Sequence, residues 1–142
     1  MSSPESRRIA AALESRVGPG SDVSHVANSV ISLWRELERD LTPIVGSRGV
    51  AALYGRSLYL ATHTHAWLGA TLDGVQLTMD LDALRDVILA QPSRSGIEGC
   101  DLLFRTFYTL LVSMVGPELT ERLLRNVLAP SSSGHAAQDI TQ

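Results

Sequence analysis

Residues 23–41 read VSHVANSVISLWRELERDL. Val23, Val26, Val30, Leu33, Trp34, Leu37 and Leu41 recur at steps of three and four, so on a helix they form one apolar stripe. Arg35, Glu36, Glu38, Arg39 and Asp40 fall on the opposite side, which reads as a solvated face. Ser21 or Asp22 can cap this helix by accepting from a free backbone N–H.

The same periodicity extends in both directions. Upstream, Ile9, Leu13 and Val17 predict a short helix over residues 5–17, broken by Gly18-Pro19-Gly20. Downstream, Thr42-Pro43 marks a helix end and Gly46 to Gly49 a turn. A helix from Val50 carries Leu53, Tyr54, Ser57, Leu58 and Ala61 on one side and stops by Gly69 or Gly74. Leu81, Leu84, Val87 and Ile88 give a shorter helix, capped by Asp80 and ended by Gln91-Pro92. Residues 93–99 read as a loop or helix start. Cys100, Leu103, Phe104, Phe107, Leu110, Leu111 and Met114 mark a broad, buried helix face. After Gly116-Pro117 a last helix holds Leu119, Leu123, Val127 and Leu128. No segment alternates at period two. The fold class is therefore all-α, a compact helical bundle of about five to seven helices.

Two segments correspond without a gap. SLWRELERDLTPIVGSRGVAALYGRSL, residues 32–58, aligns with LLFRTFYTLLVSMVGPELTERLLRNVL, residues 102–128. Leu33, Arg35, Leu41, Val45, Gly46, Leu53 and Leu58 meet identical residues at Leu103, Arg105, Leu111, Val115, Gly116, Leu123 and Leu128. Trp34 meets Phe104, Leu37 meets Phe107 and Ile44 meets Met114. Each reads as helix, Val-Gly corner, helix, so the expectation is two duplicated αα-hairpins packed together. The expected organisation is a short helix and Gly/Pro linker over 1–20, the bundle over 21–129 and a disordered tail over 130–142.

Composition narrows the function. A chain of 142 residues with 44% hydrophobic and 19% charged residues is one globular domain. Its net charge of -3 opposes sequence-independent nucleic-acid binding, which needs a basic field. All 12 basic residues are arginine, as in proteins of GC-rich bacterial genomes. Without lysine there is no side-chain Schiff base and no P-loop phosphate contact. Cys100 is the single cysteine, so no internal disulfide forms, and it reads as a small core residue. No apolar run has the length of a signal h-region or a membrane span, so the cytoplasm is expected and a membrane partner is not.

The unusual chemistry gathers at THTHAWLG, residues 62–69. His63 and His65 stand roughly 200° apart on a helix and cannot share an ion there. With no nearby carboxylate or thiolate in sequence, and His25 and His135 far off, no metal and no cofactor are expected. Ser57 with His63 is an imaginable nucleophile pair, but no nucleophile elbow frames it. Asp73, Asp80, Asp82 and Asp86 read as capping and helix-start charge rather than a calcium loop. At a helix end, imidazoles can serve the last free carbonyls, with Trp67 packing over the bundle end.

The stretch LATHTHAWLGAT also resembles the motif of histidine phosphotransfer domains. That family carries its acceptor histidine exposed on a four-helix bundle, followed by lysine at +3 and glycine at +4. From His65, Gly69 matches the glycine, whereas Leu68 stands in the place of the lysine. The resemblance implies a phosphoacceptor at His65 or His63.

Three functional expectations follow. The leading one is a non-catalytic regulatory or adaptor module in bacterial signalling. It would bind another protein, or itself as a homodimer, and not nucleic acid. Its interaction surface would be Arg56, Tyr59 and His63, which share a helix face distinct from the apolar one and include residue types favoured at interfaces. The alternatives are a phosphorelay element, and a small-molecule sensor with its pocket at Trp34, Tyr54 and Trp67.

Overall fold

The computed structural model describes residues 4–18, 22–71 and 80–128. Pro19, Gly20, Ser21, Asp73, Gly74, His135 and the expected 130–142 tail lie outside the described residues. Within them the chain is helical and has no strand. The elements are α1 (Pro4–Val17), α2 (Val23–Thr62), a 3-10 segment (Ala66–Thr71), α3 (Leu81–Leu89), α4 (Ser93–Val115), α5 (Pro117–Leu123) and α6 (Arg125–Leu128).

The capping positions explain where helices begin. Asp22 accepts from the His25 N–H at 2.9 Å and starts α2. Asp80 accepts from the Ala83 N–H at 3.0 Å and starts α3. Elsewhere the helix bounds depart from expectation. Helix α2 does not end at Thr42-Pro43. Proline removes one N–H, which leaves the Arg39 carbonyl without its usual donor, yet helical turns continue to Gly46. Gly46 alone takes φ 81 and ψ 155, so α2 is two helical arms meeting at a glycine corner. Its second arm stops at Thr62, short of Gly69. Residues 93–99 are already helix, and the last expected helix is split at Leu124 into α5 and α6.

The core forms where the stripes meet. Trp34 is 1% exposed and packs edge-on against Phe107, Tyr54 and Phe104, with ring centroids 5.0, 5.2 and 6.1 Å away. Ile9, Leu13 and Val17 of α1 join the same core. Glu36, expected on the solvated face, instead forms a paired contact with α1: Arg16 donates to its two oxygens at 2.8 and 3.1 Å.

A Cβ on Gly96 would lie 4.0 Å from Val23 Cγ2, and Trp34 meets Phe104 and Phe107. The first arm of α2 therefore runs beside α4 in the same direction, which places the corners Gly46 and Gly116 at one end. Gly116 has φ 91 and ψ 160, close to the values at Gly46. Burial follows the same register. Leu33 with Leu103, Leu37 with Phe107, Leu41 with Leu111 and Tyr54 with Leu124 are all buried. Ile44 and Met114, aligned just before the corners, are both about half exposed.

Candidate functional site

The second arm of α2 has two unlike sides. Val50, Leu53, Tyr54, Ser57, Leu58 and Ala61 are buried. Arg48, Ala52, Arg56, Tyr59 and His63 are exposed, and they recur at steps of four, four, three and four, so they form one outward stripe. Tyr59 is 57% exposed, an uncommon position for so large a ring, and Leu60 beside it is 37% exposed. The sequence-predicted set Arg56, Tyr59 and His63 is thus brought together on one accessible face. Arg48 belongs to the same stripe and was missed, because the expected turn over Gly46 to Gly49 placed it off the helix.

His63 caps α2. Its ring meets Tyr59 edge-on at 5.2 Å, and with Nδ1 protonated it donates to the Tyr59 carbonyl at 3.1 Å. The His63 N–H itself turns to the Leu60 carbonyl at 3.3 Å, so the ring serves a carbonyl that the turning backbone leaves. His65 lies past the helix end, its backbone N–H bonded to the Ala61 carbonyl at 2.9 Å and its half-buried ring 6.4 Å from Trp67. His65 thus stands beyond α2, whereas His63, at the C-cap with helical φ/ψ of -63 and -25, still continues the outward stripe.

Ser57 is fully buried and its Oγ donates to the Leu53 carbonyl at 2.7 Å. Its hydroxyl is on the inward side, while His63 is on the outward one, so the imagined nucleophile pair does not assemble. Among the described residues no three His, Cys, Asp or Glu side chains gather as a metal site, and no helix is long and apolar enough to cross a membrane.

Of the candidate pocket residues, Trp34 and Tyr54 are buried in the core and Trp67 packs half-buried against it. Trp34 and Tyr54 touch in the core. Trp67 covers Gly99 so closely that a Cβ there would meet its Cζ2 at 2.3 Å. Two buried donors in this region, Tyr54 Oη and Trp67 Nε1, have no hydrogen-bond partner among the described residues. Burial drives the Tyr54 phenol well above its usual range, with the charges of Cys100 and Asp80 adding to the effect. The Cys100 thiol is pushed up to about 12, first by burial and then by Asp101.

A third polar cluster was not legible in the sequence. Arg8 donates to both oxygens of Glu121 at 2.8 and 2.9 Å, and the Tyr108 hydroxyl donates to the same carboxylate. These bonds hold Glu121 below the usual glutamate range, Arg8 first and Tyr108 second. The cluster ties α1 to α4 and α5. A separate groove between α1 and α4 is lined by Ala11, Glu14 and Val17 on one side and Arg94 and Ile97 on the other.

The chain matches no protein-family model, and neither curated proteins nor solved structures match it. The functional reading therefore rests on the site alone.

Proposed function

We propose that this chain is a non-catalytic regulatory or adaptor module that binds another protein through the outward stripe of α2. The observation that carries the reading is the exposure of Tyr59 at 57%, between Arg56 and His63 on a helix whose other side is rigidly packed. Tyrosine and arginine supply large, orientable contacts at interfaces, and a helix held by its own core presents them with little ordering cost. The test is affinity capture from lysate of the native host with wild type and with Arg56→Ala/Tyr59→Ala/His63→Ala. A partner lost from the triple variant, with its circular dichroism melt unchanged, supports the reading. Equal capture by the variant places the interface elsewhere.

One observation favours a second reading, a small-molecule sensor. Tyr54 Oη and Trp67 Nε1 are buried donors without an acceptor among the described residues, and such donors are costly unless something accepts from them. A ligand with acceptor oxygens reaching Trp67 would change tryptophan emission. A metabolite panel that leaves emission unaltered counts against it. The phosphorelay alternative has less support, because His63 is engaged with Tyr59 and Leu68 stands where a charge-neutralising lysine belongs. Acetyl phosphate treatment yielding no acid-labile phosphohistidine would dismiss it.

A further inference from the structure

We infer that the partner segment docking on the α2 stripe is an acidic, amphipathic peptide segment, a deepening that rests on the adaptor reading above. The first ground is charge. From Leu41 to Leu72 the sequence contains no Asp or Glu, although the whole chain carries -3. The second arm of α2 lies inside that acid-free interval, and its only Asp, Glu, Lys or Arg residues are Arg48 and Arg56. Neither has an ion-pair partner among the described residues. Arg8, Arg16, Arg39, Arg94 and Arg105 each meet a carboxylate, and the exposed arginines Arg35, Arg122 and Arg125 lie within four residues of a glutamate in sequence, as Arg48 and Arg56 do not. Two exposed guanidiniums on one stripe, unpaired among the described residues, form a positive patch on an acidic molecule.

The second ground is spacing. Arg48 and Arg56 stand eight residues apart on one helical face, about 12 Å at roughly 1.5 Å per residue. Ala52 lies between them and Tyr59 just beyond, with Leu60 beside it. The face therefore offers two bidentate carboxylate binders around a small central residue, and an aromatic anchor at one end. An amphipathic segment with carboxylates about two helical turns apart and apolar residues between fits both features. The second hairpin lacks the pattern: at the register of Arg48 and Ala52 it carries Glu118 and Arg122, which balance in charge.

A polyanion is a poorer match. Two arginines and no lysine release few counterions, and nucleic-acid affinity scales with the number of phosphates neutralised. The exposed Tyr59 and Leu60 also favour a partner with apolar content.

The test measures fluorescence anisotropy of three labelled peptides of about 16 residues that share leucines at helical spacing. Their remaining positions are glutamate, glutamine or lysine. Anionic phospholipid vesicles and a single-stranded RNA oligonucleotide complete the panel. The expected result is binding of the glutamate peptide about tenfold or more tighter than the glutamine peptide. Affinity should weaken between about 50 and about 500 mM NaCl and fall about tenfold in Arg48→Gln/Arg56→Gln, whose melting is unchanged because both side chains are exposed. Equal binding of the glutamate and glutamine peptides, an unaffected double variant, no binding of any peptide, or binding of only RNA or vesicles each overturns the inference. Binding of the glutamine peptide that is lost on Tyr59→Ala would overturn the acidic preference and leave the adaptor reading standing. Loss of the captured partner in the Arg56/Tyr59/His63 triple variant tests that reading separately.

Discussion

Gly96 and Gly99 lie within one turn of each other on α4 and play opposite roles. A Cβ on Gly99 meets the Trp67 ring at 2.3 and 3.0 Å, and an aromatic ring packed over a helix cannot bend aside. Gly99→Ala is therefore expected to lose about 1–3 kcal/mol despite the better helix propensity of alanine, and to shift tryptophan emission. A Cβ on Gly96 would find the Ile88 Cγ2 methyl at 3.5 Å and the Ile88 carbonyl and Val23 Cγ2 at 4.0 Å, all ordinary contacts. Gly96→Ala should be neutral or gain up to about 1 kcal/mol. Urea denaturation of the two variants side by side checks the contrast. Cys100 gives a second residue-scale prediction. It is 1% exposed and its thiol is held near 12, so at neutral pH it is neither accessible nor ionised. Thiol reagents should label it only as fast as the protein unfolds, and rapid labelling of the folded chain would refute the packing around it. Some of this was legible in the sequence: Cys100 sits in an apolar helical run, and Asp22 and Asp80 precede apolar stripes as caps do. The Trp67–Gly99 contact was not, because nothing local to either residue points to the other.

At the scale of the element, helix content follows from spacing, whereas helix ends depend on competition that spacing does not record. Pro43 looks like a terminator, yet it leaves only the Arg39 carbonyl without its helical donor and the helix proceeds to Gly46. The second arm ends earlier than its glycines suggest: the His63 and Thr64 N–H groups turn to the Leu60 and Ala61 carbonyls at 3.3 and 3.0 Å, and the His63 ring donates to the Tyr59 carbonyl. The two corners have positive φ, and a methyl added at either would meet open space, so the cost of substitution there is backbone strain alone. Gly46→Ala and Gly116→Ala should each lose about 1–3 kcal/mol, measured by denaturant midpoint. The Arg8–Glu121–Tyr108 cluster links elements far apart in sequence, which is why no motif announced it. Glu121 has a folded-state pKa below its ordinary value near 4.5, so it adds stability above about that pH and loses it as pH falls through the depressed value. The Arg8 and Glu121 side chains are 48% and 40% exposed, which limits the contribution to about 1 kcal/mol or less. Glu121→Gln should lower stability at neutral pH by that order and flatten the loss below about pH 4.5. An acid limb identical to wild type would contradict the assignment.

Across the whole molecule, two helix–corner–helix units lie side by side with their glycine corners at one end, and α1 closes the bundle. The all-α class was legible because every apolar stripe has helical period. The parallel placement of α2 and α4 was not, since Trp34, Phe104 and Phe107 look like any core aromatics until their rings are seen to meet. The candidate surface was legible as a helical register of Arg56, Tyr59 and His63. Its exposure was not, because an amphipathic pattern does not say whether its polar side faces solvent or a neighbouring helix. That exposure is the premise of the functional account. It is tested most directly by placing a photo-crosslinking amino acid at Tyr59 in the native host, with the exposed position Asp82 on α3 as the comparison. The account predicts a discrete crosslinked protein from the Tyr59 position and none from Asp82, with the product lost when Arg56 is changed to alanine. No product from Tyr59, or the same product from both positions, would contradict it.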